Sequence, residues 1–470
     1  MNSCRLAAAL LLPLALALAA CAVKRPPATV GAPIPAQWHS PLPHGGEAAN
    51  LARWWAQWND PLLGELIAMA QDVSPTLASA RARLAQARAA RVTAGASLAP
   101  RVDATLGVSR GNDPSPLPLA SRGQASVQAA WELDLFGGQR DSVQASQARE
   151  AAATAGWHEA RVSVAAETAS AYLGLRTCGQ QLTVAQADAA SRAETAGLLG
   201  LSAQAGFSAP ATASLARASA AEASARLRQQ RAQCEVERQA LAALAGMDPS
   251  VLSQRLAAPW QPAVPDTLFA IAALPAQALA QRPDVRRAEL AVAAASADVG
   301  AAQADRYPRL SLAGTIAANA VRAGGASSDG QTWAIGPLVL TLPVFDASRR
   351  SANVQAAQAR HDEAVSLYRA QVRRAVSDVE QALVTLDSAR ARVGDAVAAA
   401  EGFRASFTAT EARHRAGLAS LVELEDARRS QLAAETALVS LQRELHNAWI
   451  SLYRAAGGGW PGQTAAGTSP

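Results

Sequence analysis

Four short segments of the chain alternate apolar and polar residues with a period of two. In residues 102–108, Val102 and Leu106 share one face, and Asp103 and Thr105 share the other. The other three segments are residues 127–135, 310–316 and 333–344, the last with a phase shift at Pro337. This alternation predicts four β-strands, each with one apolar face. Taken alone, it fits a lipid-facing sheet and a soluble half-buried sheet equally well.

The strand segments are separated by helical stretches of unusual length. Two stretches without proline cover residues 139–205 and 347–415, and at 1.5 Å per residue each helix would span ~100 Å. Shorter helices are predicted near residues 76–98, 210–246, 284–305 and 421–457. Alanine dominates these helices, because it has the best helix propensity and lets neighbouring backbones approach. The pattern predicts a coiled or barrel-like bundle of helices.

The same order of elements occurs twice along the chain. Pro75 and Pro283 each precede a short helix, at an offset of 208 residues, and the segments that begin at Val143 and Val354 match at an offset of 211. The chain is therefore predicted to duplicate one helix-strand-strand-helix-helix unit. The predicted domains are a first repeat at residues 59–258 (strands about 101–136, helical hairpin about 139–246), a second repeat at 259–460 (strands about 309–345, hairpin about 347–456) and a flexible tail at 461–470.

Composition narrows the function classes. Half of the 470 residues are hydrophobic, but only 4% are aromatic and alanine prevails, which argues against a conventional α/β enzyme. We therefore expect helices that pack through small residues, with no thick globular core. The 43 basic residues are interspersed with 38 acids, for a net charge of +5. No basic stripe for nucleic acid stands out.

Neither a catalytic site nor a metal site is predicted. The six histidines lack HExxH spacing, and Gly457-Gly458-Gly459 follows a helix instead of opening one after a strand, so no phosphate-binding loop is indicated. The four cysteines are Cys4, Cys21, Cys178 and Cys234, and none forms a CxxC pair. Their spacing indicates neither a zinc site nor a disulfide framework. We expect no catalytic residues, no metal and no cofactor apart from a covalent lipid.

The amino terminus carries the three zones of a secretory signal. Arg5 supplies the positive start, Leu6 begins an apolar run, and Ala19 and Ala20 precede the cleavage point. Cys21 follows at once, so this stretch resembles a bacterial lipobox, in which the thiol carries diacylglycerol. The alternative is a plain signal peptide followed by an incidental cysteine. We predict a lipoprotein signal peptide at residues 1–20, lipidation of Cys21, and a lipidated linker at 21–58.

No later stretch reaches the ~18 consecutive apolar residues of a membrane helix. A mature chain that enters a bilayer must then do so through its β-strands. Four strands cannot close a barrel, since single-chain membrane barrels need at least about eight, so several protomers must each contribute a sheet. The signal, the lipobox and the long helices favour this membrane interpretation. A soluble coiled-coil adaptor would explain the helices but neither the strands nor the duplication.

Six motifs in the same order resemble the TolC family of outer-membrane efflux channels, in its NodT/OprM-like branch. The most distinctive is Trp131-Glu132-Leu133-Asp134-Leu135-Phe136-Gly137, after the second strand. The others are Trp58 to Leu63, Leu274-Pro275 with Arg282 to Val285, Tyr307-Pro308, Leu342 to Asp346, and Leu452 to Trp460. Each is weak alone, but together they cover essentially the whole mature chain.

The resemblance implies a mainly α-helical fold with a β membrane part, assembled as a homotrimer. Three sets of four strands would form a twelve-stranded β-barrel in the outer membrane, and the helices would continue it as a long periplasmic α-barrel. The chain would be a passive exit duct for drugs or other small toxic compounds. A periplasmic adaptor (membrane fusion protein) would join it to an inner-membrane pump of the resistance-nodulation-division (RND) class. The same fold also serves type I protein secretion, which stays as the alternative.

The resemblance also implies where this duct meets its partners. The adaptor would contact the tips of the two helical hairpins, at Gly206, Phe207 and Ser208 and at Gly417, Leu418, Ala419 and Ser420. Glu423 and Asp426 follow the second tip on one helical face, at the positions of the family's gate-forming aspartates. Three copies would gather six carboxylates and raise their pKa values. The alternative is that each glycine is only a turn residue, and that the acids complement the helix dipole.

Overall fold

The fold is known from a computed structural model, which describes residues 23–40, 42, 51–112, 119–258, 260 and 275–459. The predicted signal peptide, the predicted lipidation site at Cys21 and the tail at 461–470 lie outside the described residues. Within them, the chain is mainly α-helical with four strands. No helix in the described ranges is both long enough and apolar enough to cross a membrane.

The elements follow the predicted order twice. In the first half they are a 3-10 helix (Leu51–Trp58), α1 (Pro61–Val73), α2 (Pro75–Ala96), β1 (Arg101–Gly111), β2 (Ala120–Leu133), α3 (Gly138–Gln204), α4 (Pro210–Ala245) and α5 (Pro249–Leu256). In the second half they are α6 (Pro275–Ala280), α7 (Pro283–Ala304), β3 (Arg309–Ala323), β4 (Ala326–Thr341), α8 (Arg349–Arg415) and α9 (Leu421–Ala455). The two long helices have 67 residues each. β1 and β3 extend beyond the predicted segments at both ends, whereas β2 and β4 begin earlier than predicted and end earlier, at Leu133 and Thr341.

Helix boundaries follow local chemistry. Proline occupies the first turn of α1, α4 and α5, where its missing N–H costs no hydrogen bond. Asp60 caps α1 by accepting hydrogen bonds from the backbone N–H groups of Leu62 and Leu63. Gly246 ends α4 with a φ of +61°, which glycine adopts without strain. These signals explain why the helical hairpins begin and end close to where the sequence predicts.

The four strands form one antiparallel sheet in the order β1-β2-β3-β4. The pairing aligns the apolar positions of all four strands on one face: Ala104 pairs with Val127, Val127 with Ile316, and Ile316 with Trp333. This face is open on the single chain, where the Trp333 side chain is 76% exposed. An open apolar face of this kind marks a surface that is buried against something other than its own chain.

The phase shift at Pro337 is a β-bulge. Leu312 pairs with Leu338 and Gly314 pairs with Ile335, so two residues of β4 oppose one residue of β3. The extra residue reverses the alternation along β4. As a result, the apolar residues on both sides of Pro337 reach the same face of the sheet.

The described chain divides into two compact units. The first contains the sheet and consists of Ala82–Ala155 and Arg286–Gln371 with the described residues up to Ala32, and the second consists of the described parts of Pro33–Arg81, Gly156–Val285 and Val372–Pro470. In the first unit, α7 packs closely on the start of α3, so that a Cβ on Gly300 would meet the Asp141 carboxylate. A larger residue at this contact would have to displace the Asp141 side chain.

The second unit has a core of large side chains, so the expectation of no thick core is wrong there. Trp54 is fully buried and stacks on Tyr453, with 4.5 Å between the ring centroids. Trp58 meets Trp54 edge to face, and Trp449 is buried in the same cluster. Six of the ten tryptophans lie in or against this core. The low aromatic content is an average over the whole chain, and it conceals this concentration.

The first helical hairpin is cross-linked, which corrects the prediction from cysteine spacing. Cys178 on α3 and Cys234 on α4 form a disulfide, with 5.6 Å between their Cα atoms. Each cysteine lies 28 residues from Gly206 at the turn, half of their separation of 56. Antiparallel helices bring together residues equidistant from their turn. The equal distance of both cysteines from the predicted tip would therefore have predicted the disulfide, whereas CxxC spacing detects only cysteines that are close in sequence.

Candidate hairpin tips and membrane sheet

The first tip is a tight helix ending that presents one large apolar side chain. Gly206 has a φ of +79°, and the Phe207 N–H donates to the Ser202 carbonyl at 2.9 Å. The Phe207 side chain is 86% exposed. The Ser208 hydroxyl lies 3.5 Å from the Leu199 carbonyl, and Pro210 starts α4. The turn thus holds a phenyl ring out into solvent.

The second tip repeats this construction 211 residues later. Gly417 has a φ of +77°, and the Leu418 N–H donates to the Arg413 carbonyl at 2.8 Å. The Leu418 side chain is 71% exposed, in the position that Phe207 holds at the first tip. The Ala419 carbonyl lies 2.9 Å from Nδ1 of His414. Both glycines are needed for the turn itself, and both turns display a hydrophobic side chain.

Ser420 and Glu423 form a capping box at the start of α9. The Glu423 N–H donates to the Ser420 hydroxyl, and the Ser420 N–H donates to the Glu423 carboxylate at 2.7 Å. The backbone hydrogen bond from Ser420 lowers the pKa of Glu423, opposite to the rise expected from six clustered carboxylates. That rise concerns three chains together. In the single chain the contacts of Glu423 are those of a helix-capping acid.

Asp426 stays exposed on the same side of α9 and pairs with Arg429 at 2.9 Å. Its pair is solvent-exposed at both ends, so it adds little stability. The Asp426 carboxylate can therefore contact a neighbouring chain that packs against this side of α9 in an assembly. The gate assignment of Glu423 and Asp426 stays a prediction, because it depends on neighbouring chains.

A buried charge network that was not predicted from the sequence lies beside these acids. Arg192 on α3 contacts Asp188 at 2.8 Å and also contacts Glu425 on α9. Glu425 accepts further hydrogen bonds from Arg428 at 2.7 Å and from the Ser219 hydroxyl on α4 at 2.8 Å. The network therefore joins three helices near the tips. A sequence signal existed, since Asp188 and Arg192 stand one helical turn apart in an alanine-rich stretch.

The Arg428 end of the network reaches α3 as well, although among the described residues its buried Nε has no hydrogen-bond partner. Arg428 is 3% exposed and donates to the hydroxyls of Ser191 and Thr195 on α3, at 2.8 and 3.1 Å. Its guanidinium lies 5.4 Å from the ring centroid of Phe407. Buried ion pairs of this kind are weak evidence for stability, but losing one partner is strongly destabilising. The network ties α9 of the second hairpin to both helices of the first.

The motif between β2 and α3 has a structural explanation. The Asp134 carboxylate accepts hydrogen bonds from the backbone N–H groups of Gln139 and Arg140, and pairs with the Arg140 side chain at 2.9 Å. Asp346 plays the same part before α8, where it pairs with Arg350 at 2.8 Å. Each strand-to-helix turn is thus held by an aspartate that caps the long helix.

Arg282, in the motif at the junction of the halves, is a buried organiser. It pairs with Asp284 at 2.7 Å and Asp378 at 2.9 Å, and it donates to the carbonyls of Ala375 and Ala455. The side chain therefore ties the start of α7 to α8 and to the end of α9. All five residues belong to the second unit. Packing and hydrogen bonding therefore explain this motif, without a catalytic or ligand-binding role.

These features place the motifs at the turns and junctions of a duplicated fold. The sequence matches the family described as "Outer membrane efflux protein" over residues 66–247 and 274–458. The chain belongs to the outer membrane efflux protein family. The two matched stretches correspond to the two halves of the duplication, which agrees with the repeated order of elements.

Individual relatives of this outer membrane efflux protein are similar along their whole length. The pyoverdine export outer membrane protein OpmQ of Pseudomonas putida is 31% identical, and the alignment covers 96% of this chain and 97% of OpmQ. The outer membrane protein OprJ of Pseudomonas aeruginosa is 28% identical, with 95% of each chain covered. Among solved structures, the outer-membrane channel OprN has a TM-score of 0.80 at 29% identity, covering 93% of this chain and 99% of OprN.

The comparisons confirm the predicted family, fold class and location. The protein is an outer-membrane channel component of an efflux system, and its family is one of transport proteins. The described residues contain no group of three or more His, Cys, Asp or Glu side chains that could hold a metal ion. The adaptor contact at the tips and the lipid on Cys21 stay predictions.

Proposed function

We propose that this chain forms a passive, homotrimeric exit duct for small toxic compounds. The open edges of the sheet carry this proposal. β1 and β4 each have one unpaired edge, and the apolar face between them is exposed. Unpaired edges cannot stay exposed in lipid, where no water satisfies their backbone groups. Three copies, twelve strands in all, close such a sheet into a barrel with a continuous pore.

The duct supplies no energy and catalyses no reaction. An inner-membrane pump of the RND class drives transport, and a periplasmic adaptor joins the pump to the duct. The adaptor contacts the tips, where Phe207 and Leu418 offer exposed apolar side chains in equivalent positions. Around them, Gly206, Ser208, Gly417, Ala419 and Ser420 shape the turns. Glu423 and Asp426 stand on the pore side as a ring of acids that favours cations.

The cargo is a class of small molecules. The names of the relatives support this choice, since they include a pyoverdine exporter and the toluene efflux pump outer membrane protein TtgI of Pseudomonas putida. Protein secretion by the type I route is the alternative for the same fold.

A lipid on Cys21 anchors the chain to the outer membrane. Cys21→Ser should therefore abolish labelling of the protein with fatty acid. A variant that is still labelled would contradict the lipobox.

The function is tested by deleting the gene and comparing susceptibility to a panel of dyes, detergents, solvents and antibiotics. We expect the deletion strain to accumulate several of these compounds and to be rescued by the intact gene. Secreted proteins are measured in parallel. An unchanged susceptibility profile together with the loss of a secreted protein would favour the type I alternative and overturn the efflux proposal.

A further inference from the structure

A row of polar residues crosses the sheet near its far end. Arg110 on β1 pairs with Ser121 on β2, Ser121 pairs with Arg322 on β3, and Arg322 pairs with Ser327 on β4. The row therefore alternates arginine and serine over four strands. Neighbouring strands lie about 4.8 Å apart, so the two arginine Cα atoms are about 10 Å apart. All four elements of the row come from one chain.

This row lies on the apolar face of the sheet. Side chains two residues apart on a strand share a face, so Arg110 lies on the side of Val108 and Leu106, which are each 83% exposed. By the same rule Arg322 lies on the side of Ile316. The row below contains one acid, Asp329 opposite Ala320. Two arginines against one aspartate leave this part of the face basic.

The row also lies at a definite height. All helices join the sheet at the end that holds Leu310 and Leu340, and the family location makes that end periplasmic. Arg322 lies 12 residues further along β3 than Leu310. At ~3.4 Å per residue and a tilt of about 40°, this is about 30 Å along the membrane normal. The apolar band of a membrane barrel is about 25 Å tall, so the row lies just above it, at the outer headgroups.

The side chains of Arg110 and Arg322 are both exposed on the single chain. Among the residues that the structure describes, neither has an ion-pair partner. At the periplasmic end the arginines are engaged: Arg101 pairs with Asp103 at 2.7 Å, and Arg309 pairs with Asp305 at 2.6 Å. The periplasmic end of the sheet is thus neutralised by ion pairs, whereas the opposite end is basic.

We propose that this row binds the phosphate groups of a glycolipid in the outer leaflet. Guanidinium groups recognise phosphate oxygens through two parallel hydrogen bonds, and the serine hydroxyls add neutral donors. The acyl chains of the same lipid lie along the apolar rows beneath, beside Val108 and Leu106. A soluble anion has no reason to collect on this face, whereas an outer-leaflet lipid meets it continuously. The inference rests on the proposed trimeric barrel, in which three chains supply six arginines.

The test uses the full-length trimer and lipid A with two phosphates and six acyl chains. Native mass spectrometry measures how much lipid A stays bound to the wild type and to the double variant Arg110→Gln/Arg322→Gln. Each arginine near a charged lipid surface adds to the binding affinity, so the double variant should bind lipid A at least about tenfold more weakly than the wild type. Arg122→Gln is the matched control, since Arg122 lies one residue away along β2, on the opposite face.

The arms of the experiment separate the possible outcomes. We expect retention by wild type and Arg122→Gln, loss in the double variant, and weak binding of lipid A without phosphates. Equal binding by the double variant, equal binding of dephosphorylated lipid A, or full displacement by inorganic phosphate would each overturn the proposal. Planar-bilayer conductance is recorded on the same samples. If the wild type forms conducting trimers while its lipid binding ignores the arginines, this inference fails and the proposed duct stands.

Discussion

At the scale of single residues, His446 shows how the aromatic core sets a chemical property. Its ring is 2% exposed and lies 5.6 Å from Trp58 and 6.1 Å from Trp260, measured between centroids. Burial lowers the pKa of His446 to about 4, because the charged imidazolium loses its water. Among the described residues its Nδ1 has no hydrogen-bond partner. The folded protein therefore holds this histidine neutral where the unfolded chain would protonate it.

This lowered pKa predicts a loss of stability in mild acid. Below about pH 6.5 the unfolded chain takes up a proton that folded His446 refuses, so stability falls as pH drops and the loss is complete near pH 4. Between pH 6.5 and 5 the loss is about 2 kcal/mol. The thermal midpoint of His446→Phe should then depend less steeply on pH than that of the wild type. Equal slopes for both proteins would refute this account.

The two candidate gate residues can be separated from helix capping by choice of substitution. Glu423→Gln keeps an oxygen that can accept from Ser420 but removes the charge, and Asp426→Asn does the same at the second position. We expect this double variant to lose cation preference and to conduct more in planar bilayers. Ser420→Ala is the control, since it breaks the cap and leaves both charges. A double variant with unchanged conductance and selectivity would assign these acids to the helix terminus alone.

Sequence reasoning at this scale finds residues whose meaning is local. It located Gly206 and Gly417, because a helix end that needs positive φ selects glycine. It missed Glu425 and Arg428, because their importance comes from burial against another hairpin, 230 or more residues away. Charged residues on a helix look alike in sequence whether they face solvent or a neighbouring helix.

At the scale of elements, the disulfide makes the two hairpins different. Cys178–Cys234 cross-links α3 to α4, whereas the equivalent positions of the second hairpin are Ala389 and Leu445. Closing a loop of 56 residues is worth up to about 4 kcal/mol in the chain-entropy estimate. Cys178→Ser should lower the free energy of unfolding by an amount of that order, and the thermal midpoint should fall with it. Reductant should lower the wild type equally and leave Cys178→Ser/Cys234→Ser unchanged; a wild type insensitive to full reduction would contradict this.

The sheet offers a second test at this scale. Trp333 lies midway up the apolar face, and its neighbour Thr332 lies on the opposite face. An arginine on the lipid side at mid-height costs about 2–4 kcal/mol, whereas one on the pore side meets water. Trp333→Arg should therefore sharply reduce trimers in outer-membrane fractions, and Thr332→Arg should leave them near wild-type yield. Similar yields for both variants would mean that the apolar face does not meet lipid.

The elements also show where the pattern stops being informative. The predicted strand at residues 102–108 is β1 at Arg101–Gly111, and that at 310–316 is β3 at Arg309–Ala323. Alternation marks only the part of each strand that faces apolar surroundings. Beyond it the strands continue with Ser, Arg and Asn, held by cross-strand hydrogen bonds that leave no hydrophobic trace. The missed ends of the strands are the ones that carry the polar row.

At the level of the whole molecule, the duplication sets the order of the elements, and the two halves differ in detail. Both halves provide two strands to one sheet and one helical hairpin with a glycine tip. The offset in sequence was enough to predict this order. The tryptophan core of the second unit was not predicted, since its members come from stretches as distant as Trp38, Trp260 and Trp449. Such a cluster exists only after the chain has folded.

We infer that one chain is incomplete and that three chains close the sheet. The decisive measurement is the detergent-corrected mass of the purified full-length protein, obtained by light scattering with absorbance and refractive index. We expect a single species with the mass of three chains, because four strands leave two edges that only neighbouring copies can pair. A stable monomer or dimer that is fully folded in detergent would contradict it.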